Sequence, residues 1–401
     1  MKFVSLGNLT VIDPRYRGDP DGAVRGHCPV VIDPLSQGVL VMGYDVAREA
    51  LMNRTSTRDA LRFAGGRSSS DVAAIVALDD PDHSRIRKPL IATLVAWVKR
   101  SDPEILRIVD AFLDHLSDEG EEADLVAAYA EPVVANVVAS LLGVEDCRRD
   151  RIVGWLLDIS ALFTLLPTEM ERARLDMAMA GLTVFLEDAV ASRVASPGSD
   201  WISDLVASSG LTPTELVINV RISILGAVLP TLNLLSTAVR LLLLNPLELR
   251  KLRTDPSLID AVIEEALRVE PPAGSTARAS HEKCRLGDMD VMPFQPTSVM
   301  IRAANHDPSV FVEPDTFVID ADRRPHLSFG AGARMCIGFS FGRRVGRMAV
   351  GRLIERFPDL RLRDPIASPE WRATPFMHGV ERLPVRLFAD PSALDGHRSR
   401  P

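Results

Sequence analysis

Cys336 is the residue around which chemistry can be organised. It closes the loop Phe329-Gly330-Ala331-Gly332-Ala333-Arg334-Met335-Cys336-Ile337-Gly338, and the run Phe339-Ser340-Phe341-Gly342-Arg343-Arg344 that follows has helical spacing. The spacing predicts a tight loop that delivers the cysteine to a helix start. Unpaired backbone N–H groups and the positive end of the helix dipole at such a start lower a cysteine pKa and hydrogen-bond the sulfur. A thiolate held this way can be an axial ligand to iron. The competing reading is a buried free cysteine that only packs.

Two further pairs have spacing that chemistry could use. His83 and Arg87 lie four apart at the start of a helix opened by Asp79-Asp80-Pro81-Asp82, and so share a face. Glu265 and Arg268 lie three apart on another helix and can form a charge-assisted pair. Taken alone, each reads equally as a solvated helix face.

The loop carries, at its fixed spacing, the Phe-Gly-x-Gly-x-(His/Arg)-x-Cys-x-Gly signature, and the chain here resembles the cytochrome P450 monooxygenases. The resemblance runs from about residue 28 to 388 and is thinnest between 100 and 210. It implies one haem b with Cys336 as the proximal metal ligand, cradled by the signature residues Phe329 and Gly338. It further implies that His83 and Arg87, set in Asp-Pro-x-His-x-x-x-Arg, bind the haem propionates together with Arg278 and Arg334. Charge supports these choices, because two buried propionates need cations or strong donors. Glu265 and Arg268 match the family's structural Glu-x-x-Arg pair. The third, basic partner expected just before Phe317 is Thr316 here, so what completes that network stays open.

A long helix is predicted from about Pro213 to Leu244, with Thr212-Pro213-Thr214-Glu215 as a capping box and Asn245-Pro246 as its end. At 1.5 Å per residue it spans roughly 45 Å, enough to cross the whole body. Asn219, Arg221, Asn233 and Arg240 interrupt its apolar run, so a buried central helix fits better than a membrane span. By the resemblance it crosses the haem, and here the sequence departs from the family pattern. Gly226 and Ala227 fall on the usual small pair, but Leu229 stands where an acid is expected and Pro230 where a threonine is expected. That acid and alcohol serve oxygen activation in the family. Proline cannot donate to the carbonyl four residues back, so a kink is expected and the Gly226 C=O is left over. Two readings follow: Gly226, Pro230 and Thr231 form a substitute proton route through that carbonyl and water, or Pro230 only shapes the pocket.

The elements that must position these residues form a mainly α chain with a minor β portion. We expect one domain over 1–401, with a β-rich part at about 28–45, a helical body at about 79–270, the cysteine loop at 329–338 and a C-terminal β part at about 357–388. A hairpin is predicted around the Pro-Leu-Ser-Gln-Gly turn between Val30-Val31-Ile32 and Val39-Leu40-Val41. The pocket is expected from residues 52–78, the region near 160–180, Leu225 to Thr231, the stretch after Pro272, and Phe376-Met377.

Composition bounds the rest. The 401 residues are 46% hydrophobic and 25% charged, which is globular, and the net charge of −8 argues against general nucleic-acid binding. The four cysteines, Cys28, Cys147, Cys284 and Cys336, are too scattered for a zinc site or disulfide framework, which points to a reduced compartment. The first residues lack the apolar core of a signal peptide or anchor, so a soluble, bacterial-type, cytoplasmic monomer is expected, with no membrane partner.

The expected function is therefore oxidation, by hydroxylation, of an apolar or aromatic small molecule in bacterial secondary metabolism, in a polyketide or antibiotic route. The resemblance implies electrons from NAD(P)H through a ferredoxin reductase and a ferredoxin. Arg343, Arg344 and Arg347 on the helix after the cysteine are either solvated or a dock for such an acidic donor. Nothing in the sequence distinguishes a free substrate from one tethered to a carrier protein. The alternatives are a peroxide-using, coupling or desaturating haem-thiolate enzyme, and a non-catalytic haem-binding or recruitment protein.

Overall fold

The computed structural model describes residues 28–33, 37–57, 74–118, 120–159, 162, 167–372, 374 and 377–388. Most of the segment expected to close over the substrate, and Phe376, lie outside them.

The chain opens with the predicted hairpin, β1 (Val30–Ile32) and β2 (Val39–Val41), paired antiparallel with Val31 opposite Leu40. Helix α1 (Tyr44–Met52) follows, then the short strand β3 (Ser56–Thr57). The helical body comprises α2 (Asp82–Arg100), α3 (Asp102–Asp118), α4 (Glu131–Leu141), α5 (Asp146–Asp158), α6 (Glu169–Ala195), α7 (Trp201–Ser208), α8 (Pro213–Leu244), α9 (Pro246–Thr254) and α10 (Ile259–Val269). The sequence predicts only a break near Glu121, but a strand stands there, β4 (Glu122–Asp124). Its partners come from far along the chain, so no local pattern announces it.

The strands β5 (Thr276–Ser280), β6 (Cys284–Leu286), β7 (Met289–Val291) and β8 (Thr297–Val299) precede the one-turn helix α11 (Ile301–Asn305). After the cysteine loop come α12 (Phe339–Arg356), β9 (Arg361–Leu362) and β10 (Pro384–Arg386). One sheet has the order β1-β2-β8-β5-β3, a second β4-β10-β9, and β6 pairs with β7. The expected C-terminal β part therefore holds down the strand between α3 and α4.

Helix α8 organises the packing, lying against α6, α12, α10 and α4. Its start matches the sequence reading: Thr212 Oγ1 accepts from the Glu215 N–H, and the Glu215 carboxylate accepts from the Thr212 N–H. Pro230 sits within one unbroken helical span, so the expected kink does not interrupt the helix. By length and apolarity α8 could cross a membrane, yet 72% of its most apolar window is buried inside the fold.

The Glu265–Arg268 pair of α10 is buried and forked, Nε to Oε2 at 2.8 Å and Nη2 to Oε1 at 2.7 Å. A guanidinium has five N–H donors to satisfy. Arg268 gives the others to the carbonyls of Asn305, Pro314 and Thr316 at 2.7–3.1 Å. The group that completes the network is Arg323, whose Nε lies 3.3 Å from Glu265 Oε1. Thr316 contributes its backbone oxygen only.

Candidate haem-thiolate site

The cysteine loop is shaped by two glycines in left-handed conformation, Gly330 at φ 72° and Gly332 at φ 70°. At Gly332 a Cβ would stand 3.0 Å from the Met52 Cα, so α1 seals that turn. The Cys336 N–H donates to the Phe329 carbonyl at 2.7 Å, closing the loop on itself. Gly338 caps α12, and its N–H is directed at the Cys336 sulfur. The predicted delivery of the cysteine to a helix start is therefore correct.

The predicted thiol acidity is not. Burial by the surrounding protein pushes the Cys336 thiol up from its ordinary value, and the Gly338 N–H with the Arg87 and Arg343 guanidinium groups only partly offsets this. The residue still presents open surface, because its sulfur faces a cavity while the protein behind it is dense. A metal ion, which deprotonates a coordinating thiol outright, is what would make the thiolate here.

The cavity measures about 260 Å³. His83, Arg87, Phe329, Arg334, Cys336 and Gly338 all line it, as do Gly226, Pro230 and Thr231 from α8. Of the expected propionate ligands, Arg278 alone does not. It is buried on β5, where its Nη1 donates to the Thr276 hydroxyl at 2.9 Å and the Ala277 carbonyl at 2.8 Å. Arg87 donates to the Met335 carbonyl, and Arg334 donates to the Leu78 carbonyl at 2.8 Å and pairs with Asp79. Asp79 is a partner that sequence reasoning missed, although it stands four residues before His83. Burial, followed by the Arg334 and Arg87 charges, lowers the His83 pKa from its ordinary value.

The walls differ in part from those expected. Ile75 and Val76 come from the 52–78 segment, and of the predicted stretch Leu225 to Thr231, Gly226, Ala227, Pro230 and Thr231 contribute. No described residue of 160–180, none directly after Pro272, and not Met377, lines the cavity. Leu94, Leu141, Trp201, Ile222, Ser223 and Leu234 take their place. Trp201 is held there by its Nε1–H, which donates to Thr93 Oγ1 at 2.8 Å. Leu229, at the position where an acid is expected, is buried at 2% exposure and points into the core instead of the cavity. Helical period alone accounts for this: Leu229 is a quarter turn from Pro230.

These residues fit a haem. A sulfur lies on the floor, two guanidinium groups and an imidazole stand along one part of the rim, and the remaining wall is mostly apolar. At Gly226 a Cβ would meet nothing within 4 Å, so the central helix leaves open space where it borders the cavity. A family model described as Cytochrome P450 matches residues 155–371. The chain belongs to the cytochrome P450 family.

This P450 is 36% identical over 77% of its length to Cytochrome P450 107B1 of Saccharopolyspora erythraea, covering 76% of that protein. It is 30% identical to 6-deoxyerythronolide B hydroxylase of the same organism, over 87% of this chain and 90% of the relative. Its fold superposes with a TM-score of 0.83 on P450BioI, solved in complex with a hexadec-9Z-enoic acid ligated acyl carrier protein. That match has 25% identity and covers 93% of this chain and all of the other. The chain is thus a P450-type oxidoreductase, and membership implies the haem.

The arginines of α12 have partners that the sequence did not announce. Arg343, Arg344 and Arg347 are not an open basic cluster, because each is paired within the protein: Arg343 with Glu264, Arg344 with Asp102 at 2.7 Å, and Arg347 with Asp260 at 3.1 Å. Two further arginines of α12, Arg352 and Arg356, pair with Asp110 and Asp114 of α3. The acids come from other helices, so the run of arginines in the sequence reads as more basic than the folded surface is.

Proposed function

We propose that this P450 hydroxylates an apolar small molecule in bacterial secondary metabolism, with Cys336 as the proximal ligand of haem b. The observation that carries the reading is that Cys336 lines a mostly apolar cavity together with Arg87, Arg334 and His83. A haem held by a thiolate supplies oxygen activation, because electron donation from sulfur favours O–O cleavage. Arg87 and Arg334 would hold the propionates, and His83 would add a further donor. Arg278, which does not line the cavity, stays in the proposal as the remaining propionate candidate. One relative, named for hydroxylating 6-deoxyerythronolide B, bears on the substrate class.

The chain's own residues above the haem have two tasks. Ile75, Val76, Ile222 and Ala227 exclude water from the substrate side. Pro230 removes one helical N–H, which leaves the Gly226 C=O as an acceptor facing the cavity; with Thr231 beside it, that carbonyl can hold a water and pass a proton. This is the proposed substitute for the missing acid and alcohol. NAD(P)H, a ferredoxin reductase and a ferredoxin supply the electrons. The acyl-carrier complex of the structural neighbour favours testing carrier-tethered as well as free substrates. The placement is cytoplasmic and the chain acts as a monomer of one domain.

The deciding measurement is the spectrum of the reduced, carbon monoxide-bound protein. A Soret band shifted well to the red establishes the thiolate; a band at the position of histidine-ligated haem, or no haem, removes Cys336 from its role. Substrate-dependent NAD(P)H consumption with an oxidised product then separates the monooxygenase from a non-catalytic binder.

A further inference from the structure

Two adjacent carboxylates of α10 do different work. Glu265 is committed to Arg268 and Arg323 in the interior. Glu264 faces the cysteine loop, and its two oxygens take Arg343 Nε at 2.5 Å and Nη2 at 2.7 Å in a forked pair. The same carboxylate lies 3.3 Å from His326 Nε2. The Ser328 N–H donates to His326 Nδ1 at 3.1 Å, so Nδ1 is the acceptor and the ring proton sits on Nε2, toward Glu264.

Both groups held by Glu264 bracket Phe329. The Arg343 guanidinium carbon is 4.5 Å from the centroid of the Phe329 ring, and the His326 ring centroid is 5.9 Å away. Phe329 lines the cavity and accepts the Cys336 N–H at its carbonyl. Burial would raise the Glu264 carboxyl, but Arg343 and His326 hold it at about 2, so it is fully ionised at neutral pH. Arg343 stands over the residue whose carbonyl takes the Cys336 N–H, two helical turns or less from the sulfur along α12.

We propose that Glu264 is a positioning residue that sets the reduction potential of the thiolate-bound iron, by neutralising Arg343 and fixing it flat behind the Cys336 loop. The proposal rests on the reading of Cys336 as haem ligand. Reduction places one additional electron on the metal and its thiolate and changes no bond. A bare guanidinium behind the sulfur favours that added charge; a guanidinium forked to a carboxylate favours it far less. Glu264 is 44% exposed, so solvent weakens its share without removing it.

The test is a spectroelectrochemical titration of the haem-loaded protein with dithionite as reductant, comparing wild type, Glu264→Gln, Arg343→Gln and the double variant. At a fixed poise, Glu264→Gln is expected to raise the ratio of reduced to oxidised protein about tenfold, equivalent to about 59 mV for one electron. Arg343→Gln is expected to lower that ratio severalfold, and the double variant to return close to wild type because a neutral pair has been removed. Glu264→Asp keeps the charge and is expected to stay within about twofold. A purely structural role would move thermal stability without this reversal of sign. A Glu264→Gln ratio within twofold of wild type, with the red-shifted carbon monoxide band intact, overturns the proposal. If Glu264→Gln does not take up haem, Arg343→Gln decides alone: a lowered ratio supports the proposal and an unchanged ratio overturns it. Absence of the red-shifted band in wild type is the separate failure of the Cys336 reading.

Discussion

Asn233 and Gly379 lie so close that a Cβ on Gly379 would stand 2.3 Å from the Asn233 Cγ and Oδ1. Asn233 is wholly buried on α8, one turn beyond Pro230, and Gly379 belongs to the C-terminal segment that packs against that helix. The helix therefore admits only a glycine at this point. Gly379→Ala is expected to cost about 1–3 kcal/mol through overpacking, read as a lower midpoint in urea denaturation. A midpoint equal to wild type would mean that the segment shifts freely.

Arg268 donates to Glu265 and to three backbone carbonyls while only 2% exposed. Replacing it by alanine leaves the Glu265 charge buried, with Arg323 as the remaining cation. Breaking a buried pair in this way costs about 3–5 kcal/mol. Arg268→Ala is expected to lose haem during purification and to unfold at markedly lower urea, whereas Thr316→Ala, which keeps the backbone oxygen, is expected to behave like wild type in both assays.

Glu215 links the start of α8 to α2. Its carboxyl is held down to about 2 by the Arg85 guanidinium at 2.5 Å, against the cost of burial, with the Thr212 cap adding to the effect. A carboxylate whose folded pKa lies below its unfolded value of about 4.5 stabilises the fold above that unfolded value. The contribution is lost as pH falls from about 4.5 toward 2. The group is largely open to solvent, so screening keeps the effect modest. The thermal midpoint of Glu215→Gln is thus expected to fall below that of wild type at pH 7, and the difference to close by pH 3. A difference that persists unchanged at low pH would exclude the charge as its source.

Pro230 removes the helical N–H that would pair with the Gly226 carbonyl, and Pro230→Thr restores it while adding the hydroxyl expected there from the family pattern. If the carbonyl carries protons, the variant should change the share of NAD(P)H electrons that end in oxidised product, against those lost as hydrogen peroxide, by about threefold or more. This corresponds to a shift of about 0.7 kcal/mol between competing steps. An unchanged share, with an unchanged rate, would leave Pro230 as a shaper of the pocket and nothing more.

Local spacing alone determined a good part of this protein. The signature around Cys336, the capping box at Thr212 and Glu215, the run from Pro213 to Leu244 and the pairing of Glu265 with Arg268 were all legible, because each depends on residues within a turn or two of one another. Glycines at 330 and 332 mark a left-handed turn wherever they occur, and a helix period decides which residues share a face. What only the tertiary structure decided involves partners distant in the chain. Arg323, not the residue before Phe317, completes the Glu265 network; Asp79 takes Arg334; Leu229 turns into the core; and the α12 arginines meet acids up to 242 residues away. The cysteine shows the same division in one side chain. Its loop and helix start follow from sequence, but the burial that raises its thiol pKa comes from elements packed around it, and desolvation is a property of the assembled fold.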